Sequence, residues 1–163
     1  MAEIIVEDGS GTNPLANSYV SVTELEACAT ARGKPLTQPA DVLLTQAMDY
    51  AESLSYQGRR TRQEQPLEWP RTGVTIDMYD EPDSTIPRQL KTAQMVVALA
   101  INSGNDPLAV PEAKVKRSKV DVLEEEYFEP PAQGAVSPDI RAAFRKLLST
   151  GSLGSNQLRV VKG

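Results

Sequence analysis

Four arginines and the only tryptophan of the chain fall between residues 59 and 71, in "GRRTRQEQPLEWPRT". Arg59, Arg60, Arg62 and Arg71 around Trp69 offer one recognisable chemistry. A single-stranded nucleic acid stacks its bases on aromatic rings and sets its phosphates against guanidinium groups. The same residues have a second use. A lone indole in an aromatic-poor chain packs inward, and its arginines then pair with Glu64, Glu68 or carboxylates of a neighbour. Pro70 stiffens the loop directly after the ring, as an anchor requires. The expectation is an anchor, with Trp69 pinning the loop to the helices and setting Arg59, Arg60 and Arg71 toward a neighbouring subunit.

No other constellation points to catalysis. The chain has no histidine, which removes the usual general base and the commonest metal ligand. Cys28 sits between Ala27 and Ala29 without a histidine partner and reads as a small core residue. The carboxylates of "DMYDEPD", residues 77–83, lack the spacing of a calcium loop. "EDGSG", residues 7–11, has glycines but no Walker lysine. The expectation is no enzyme, no cofactor and no metal site.

Composition sets the frame for these residues. The chain has 163 residues, 40% hydrophobic and 5% aromatic, so one domain must build its core from Leu, Val, Ile and Ala. A net charge of -5 argues against a protein wrapped tightly on DNA. One cysteine cannot form an intramolecular disulfide. No apolar run approaches the ~20 residues of a membrane span, and no signal-peptide layout opens the chain. A cytoplasm-like compartment and no membrane partner are expected.

The hydrophobic periodicity predicts four helices, and the fold class expected is mainly α. It is a small bundle of about four helices with a long ordered loop, a β-hairpin or extended arm and a flexible C-terminal tail. A short strand is expected at residues 4–6. The first helix should run from about Val22 to Arg32, opened by the capping box of Ser21 and Glu24 and stopped at Gly33. Val20 and Leu25 suit a hydrophobic staple. The second fits Ala40 to Ser55, with Leu43, Leu44, Ala47, Met48, Ala51 and Leu54 on one face. Residues 56–85 form the long loop, kept irregular by three prolines and two glycines, and ordered by Leu67, Trp69 and Val74.

The third helix should be capped by Ser84 or Thr85, carry Pro87 in its first turn and end at Gly104. It is apolar nearly all round from Met95 to Ile101, as a helix central to its bundle or shared with another subunit would be. The fourth starts at Ser137 and Pro138, with Ile140, Ala143, Phe144, Leu147 and Leu148 on one stripe. Between the last two helices, residues 113–129 read as a strand pair or arm with split charge. Lys114, Lys116, Arg117 and Lys119 come first, then Asp121 and Glu124 to Glu126. The domain is expected to span residues 1–150, and residues 151–163 form a tail whose Leu158, Val160 and Val161 alternate as an added strand would.

Taken in order, "IIVEDGSG", "ANSYVSVTELEACATARG", "GRRT", "LEWPRTGV", "IPRQLKTAQMVVALA" and "VKRSKVDVLEEEYF" resemble the head–tail adaptor, or head-completion, proteins of long-tailed bacteriophages. That family is also described as DnaT-like single-stranded-DNA-binding proteins. The similarity runs from about residue 4 to about 130, and more loosely through the fourth helix. It departs from many relatives at "EACATARG", where an aromatic often precedes the alanine-arginine-glycine.

The resemblance implies a virion neck protein, present in the host cytoplasm during assembly. It would form a homo-oligomeric ring, commonly twelvefold, beneath the portal protein. The ring would extend the DNA channel, let DNA pass without specific binding, and dock a tail-side connector, stopper or tail terminator. On that reading Arg59, Arg60, Trp69 and Arg71, with Lys116, Arg117, Lys119, Glu124 and Glu126, belong to the subunit interface or its loop anchor. Leu158, Val160 and Val161 would reach the portal by strand addition. An acidic chain suits a channel wall that must not trap phosphate.

Overall fold

The computed structural model describes residues 3–109 and 136–150. Among them are four helices, α1 (Val22–Ala31), α2 (Ala40–Glu52), α3 (Arg88–Asn102) and α4 (Pro138–Phe144). Two small antiparallel hairpins lie between α2 and α3. β1 (Arg59–Arg60) pairs with β2 (Arg71–Thr72), and β3 (Thr75–Ile76) pairs with β4 (Tyr79–Asp80). The fold is a mainly helical small domain, as expected.

The start of α1 follows from its sequence. Ser21 Oγ accepts from the Glu24 N–H at 3.2 Å, and Glu24 Oε2 accepts from the Ser21 N–H at 2.7 Å. Two amides that the first turn leaves free are thereby satisfied. Val20 and Leu25, the expected staple pair, are both buried. Gly33 follows the Arg32 cap at a φ of 61°, a left-handed turn that glycine makes without strain.

Three boundaries differ from expectation. Residues 4–6 form no strand, and Val6 makes only an isolated parallel bridge to Ser18. The second helix ends at Glu52 rather than Ser55. The third begins at Arg88 with Pro87 as its cap, not Ser84 or Thr85, and no side chain caps it. Residues 81–86 are drawn instead into the loop layer: Glu81 N–H donates to Val74 O at 2.9 Å and the Thr61 hydroxyl to Asp83 O at 3.0 Å.

α3 packs against each of the other three helices. Its buried face carries Leu90, Ala93, Val97, Ala98, Leu99 and Ile101, together with one polar residue, Gln94. Gln94 is fully satisfied. Its Nε2 donates to Ser18 Oγ at 2.8 Å, and its Oε1 accepts from the Tyr19 N–H at 3.0 Å. The side chain thereby fastens residues 18–19 to the middle of α3. At the far end of the helix, Asn102 Oδ1 accepts from the Thr37 N–H and hydroxyl, while its Nδ2 donates to Pro35 O. The α1–α2 connection is held there.

α4 is shorter than its apolar stripe. Ile140, Phe144, Leu147 and Leu148 are all buried, but the helix ends at Phe144. The chain then pairs with residues 55–57. Gln57 N–H donates to Leu147 O at 3.0 Å, Ser149 N–H to Ser55 O at 3.0 Å, and Tyr56 bridges Leu148. A pairing over some ninety residues of sequence closes the domain where α2 stops.

Candidate functional site: the Trp69 loop

Trp69 is 0% exposed. Its ring meets Tyr56 edge-on at 5.6 Å, and Tyr56 leads on to Phe144 at 6.5 Å and thence to Tyr50 at 5.8 Å. Four of the chain's eight aromatics thus make one line from the loop into α2 and α4. The Trp69–Pro70 peptide is cis. The indole N–H has no hydrogen-bond partner among the described residues, so the ring acts by packing.

The arginines around it do not form one surface. Arg71 is only 7% exposed. Its Nε donates to Gln57 O at 2.7 Å, Nη2 to Gly58 O at 3.0 Å, and Nη1 to Glu68 Oε2 at 2.7 Å and Glu68 O at 3.2 Å. Its guanidinium also lies 6.0 Å from the Tyr56 ring centre. Every nitrogen of this arginine is engaged inside the fold. Arg60 is half-buried, and its Nη2 donates to Gln65 O. Arg62 is exposed, though its Nε donates to Ser10 O at 3.2 Å. Arg59 alone of the four is exposed and makes no side-chain hydrogen bond or ion pair among the described residues.

Gln65 organises the turn that the arginines clamp. Its Nε2 donates to Leu67 O at 2.8 Å and Pro70 O at 3.0 Å, and its Oε1 accepts from the Arg62 N–H at 2.9 Å. A half-buried acid at the end of α2 holds the same loop. Glu52 accepts from the Tyr19 hydroxyl at 2.5 Å and from the Glu68 N–H at 2.8 Å. The same hydroxyl accepts from the Trp69 N–H at 3.2 Å. Burial pushes the Glu52 carboxyl above its ordinary range, against the opposing pull of those two donors. Burial, with the Glu52 charge adding to it, also holds the Tyr19 hydroxyl well above its usual value, so it stays a donor.

The arrangement therefore supports the anchor reading. Trp69, Arg60 and Arg71 shape the loop: Arg71 is held by the carbonyls of Gln57, Gly58 and Glu68 and by the Glu68 carboxylate, and Arg60 Nη2 donates to Gln65 O. Arg59 and Arg62 are the two of the four that are exposed. Lys116, Arg117, Lys119, Glu124 and Glu126, and the tail residues Leu158, Val160 and Val161, lie outside the described residues. Sequence reasoning missed the Tyr19–Glu52 pair and the turn organised by Gln65. The one available signal was Gln94, a polar residue standing four positions after Leu90 on an apolar stripe.

The glycine loop at residues 7–11 is also accounted for. Its Gly9 and Gly11 amides donate to Glu7 Oε1 at 3.0 and 2.9 Å. A carboxylate of the chain itself sits where a phosphate loop would hold its anion.

These features define a small mainly helical domain organised by a buried aromatic and polar loop core. The family model described as "Putative DnaT-like ssDNA binding protein" matches residues 2–163, and the chain belongs to that family. No curated protein and no solved structure matches it.

Proposed function

We propose that the chain is a non-catalytic structural subunit, a phage head-to-tail adaptor. It assembles as a homo-oligomeric ring under the portal, extends the DNA channel and docks a tail-side protein in the virion neck. The observation that carries this reading is the fate of the Trp69 constellation. Its ring is buried and its Arg71 is consumed by backbone carbonyls and Glu68. A sequence that looks like a base-stacking platform is thereby a rigid loop core. The acidic balance of the chain, -5, suits a wall that phosphate must slide past.

The description of the family favours a second reading, single-stranded-DNA binding, and the family comparison supports that reading rather than the first. Arg59 and Arg62 are the exposed cations of the loop that would serve it.

Mass measurement on the purified full-length chain, alone and mixed with its portal protein, separates the two. The adaptor reading expects a defined multimer, formed alone or on the portal. A chain that ignores the portal but binds single-stranded DNA, with affinity falling steeply as salt rises, overturns it in favour of the second. Deleting residues 151–163 is expected to weaken portal attachment; undiminished affinity would place that contact elsewhere.

A further inference from the structure

The chain past α4 is strapped to the chain past α2. The Ser149 N–H and hydroxyl donate to Ser55 O at 3.0 and 3.1 Å, Tyr56 bridges Leu148, and the Gln57 N–H donates to Leu147 O at 3.0 Å. Gln57 adds its side chain, whose Nε2 donates to Lys146 O at 2.7 Å. The strap, residues 146–149, leads through Thr150 into residues 151–163.

The same two residues, Gln57 and Lys146, brace the β3–β4 hairpin. Gln57 Oε1 accepts from the Thr75 N–H at 3.4 Å, and Lys146 Nζ holds Asp77 Oδ2 at 2.7 Å. The hairpin needs outside support. Its strands are two residues each, and such a hairpin is marginal in water by itself. Its turn residues Asp77 and Met78 take φ of 51° and 71°, a left-handed backbone that a Cβ disfavours. Its tip stands in solvent, with Met78 93% and Tyr79 77% exposed, while Ile76 and the preceding Val74 root it in the core. Gln57 O meanwhile accepts from Arg71 Nε at 2.7 Å, which fixes the junction to the Trp69 loop. Each brace of the hairpin is weak alone, the Lys146–Asp77 pair being open to water. Their shared attachment to one strap is what makes them act together.

We propose that Gln57 and Lys146 form a junction that couples the strap to the hairpin. With the strap paired to residues 55–57, the Lys146 carbonyl and ammonium are both in place, and the Met78–Tyr79 tip is held out. With the strap lifted, the Gln57 amide loses its acceptor, Lys146 is carried from Asp77, and the hairpin loosens. A partner that engages the chain beyond Ser149 thus acts on the tip without touching it. The coupled element is a short stretch with a paired and an unpaired state, of the kind that opens below the energy of global unfolding. The coupling does not depend on which partner the chain has, and so goes beyond the function proposed above.

The test is amide hydrogen exchange of the full-length chain, read by mass spectrometry on peptides spanning residues 73–82 and on peptides from α1. Ser149→Pro removes the N–H that donates to Ser55 O, and Leu148, in its bridge, already has the extended backbone that precedes a proline. Exchange in residues 73–82 is expected to quicken about threefold or more, a modest coupling between joined contacts, although Ser149 bonds to Ser55 and not to the hairpin. Ser149→Ala keeps the N–H and should quicken it less. Lys146→Gln and Gln57→Ala should each quicken it, and Ser149→Pro added to Gln57→Ala should give less than the product of the two single effects. Unchanged exchange in the hairpin of Ser149→Pro overturns the coupling, as do effects of Ser149→Pro and Gln57→Ala that simply multiply. A rise of equal size in α1 overturns it too, because the variant then loosens the whole fold. None of these results bears on whether the chain forms a multimer, which the portal-mixing experiment decides separately.

Discussion

Trp69 shows how one residue's surroundings choose between two chemistries. With the ring in an aromatic line with Tyr56, Phe144 and Tyr50, Trp69→Ala should cost about 3–5 kcal/mol, the range for deleting a large buried aromatic. Urea unfolding of parent and variant checks this, and equal midpoints would contradict a packed anchor. Tyr19 is the second sensitive position. Tyr19→Phe deprives Glu52 of a donor and Trp69 N–H of its acceptor, at a cost of about 1–3 kcal/mol. Glu52 gives this core a pH dependence. Burial raises its folded pKa above the usual 4.5, so the folded state holds the proton more tightly than the unfolded chain does. Its contribution is complete below that usual value and is lost as pH rises through the raised one. Glu24 runs the other way. The Ser21 N–H lowers its pKa, so its contribution is present above the usual 4.5 and lost as pH falls through the lowered value. Stability measured against pH for Glu52→Gln should lack the decline on the alkaline side of pH 4.5, while keeping the acid-side loss due to Glu24.

At the scale of elements, the loop between α2 and α3 is fixed by close backbone approach. Gly58 has a φ of 65°, and a Cβ placed there would lie 2.2 Å from Thr72 O across the β1–β2 hairpin. Gly58→Ala should therefore destabilise by more than about 1 kcal/mol, because the substituted backbone is strained and the strands must part. Thermal melting checks this; an unchanged melting temperature would mean that β1 and β2 are dispensable. Gln94 plays the matching role in α3. Gln94→Leu leaves the Tyr19 N–H without its acceptor in the core, and about 1–3 kcal/mol should be lost even though the helix becomes more apolar. Stability equal to that of the parent would show that residues 18–19 are held by other means.

At the scale of the molecule, the described residues present a domain that buries Trp69 and Arg71 in its long loop and turns the apolar hairpin tip of Met78 and Tyr79 outward. That distribution suits a subunit completed by neighbours. If it does, the melting temperature of the full-length chain should rise with protein concentration, because whatever binds only the native state stabilises it by mass action. A concentration-independent melting temperature, with no mass change on adding portal, would remove the multimeric reading.

Much of this was legible from the sequence, because the signals involved are local. The capping box of Ser21 and Glu24, the stop at Gly33, and the apolar stripes of α2, α3 and α4 depend on neighbours within a turn or two. What the sequence left open was the use of Trp69 and its arginines, since ring and guanidinium types are the same for a stacking platform and for a buried anchor. Only the tertiary structure decided it, by placing Tyr56, Glu52 and the Gly58 carbonyl around them. The ends of α2 and α4 were decided the same way. Residues 55–57 and 147–149 satisfy one another's backbone groups across the chain, which no local period records. Propensity acts over a few residues, whereas a buried polar group takes whatever partner the fold brings within reach.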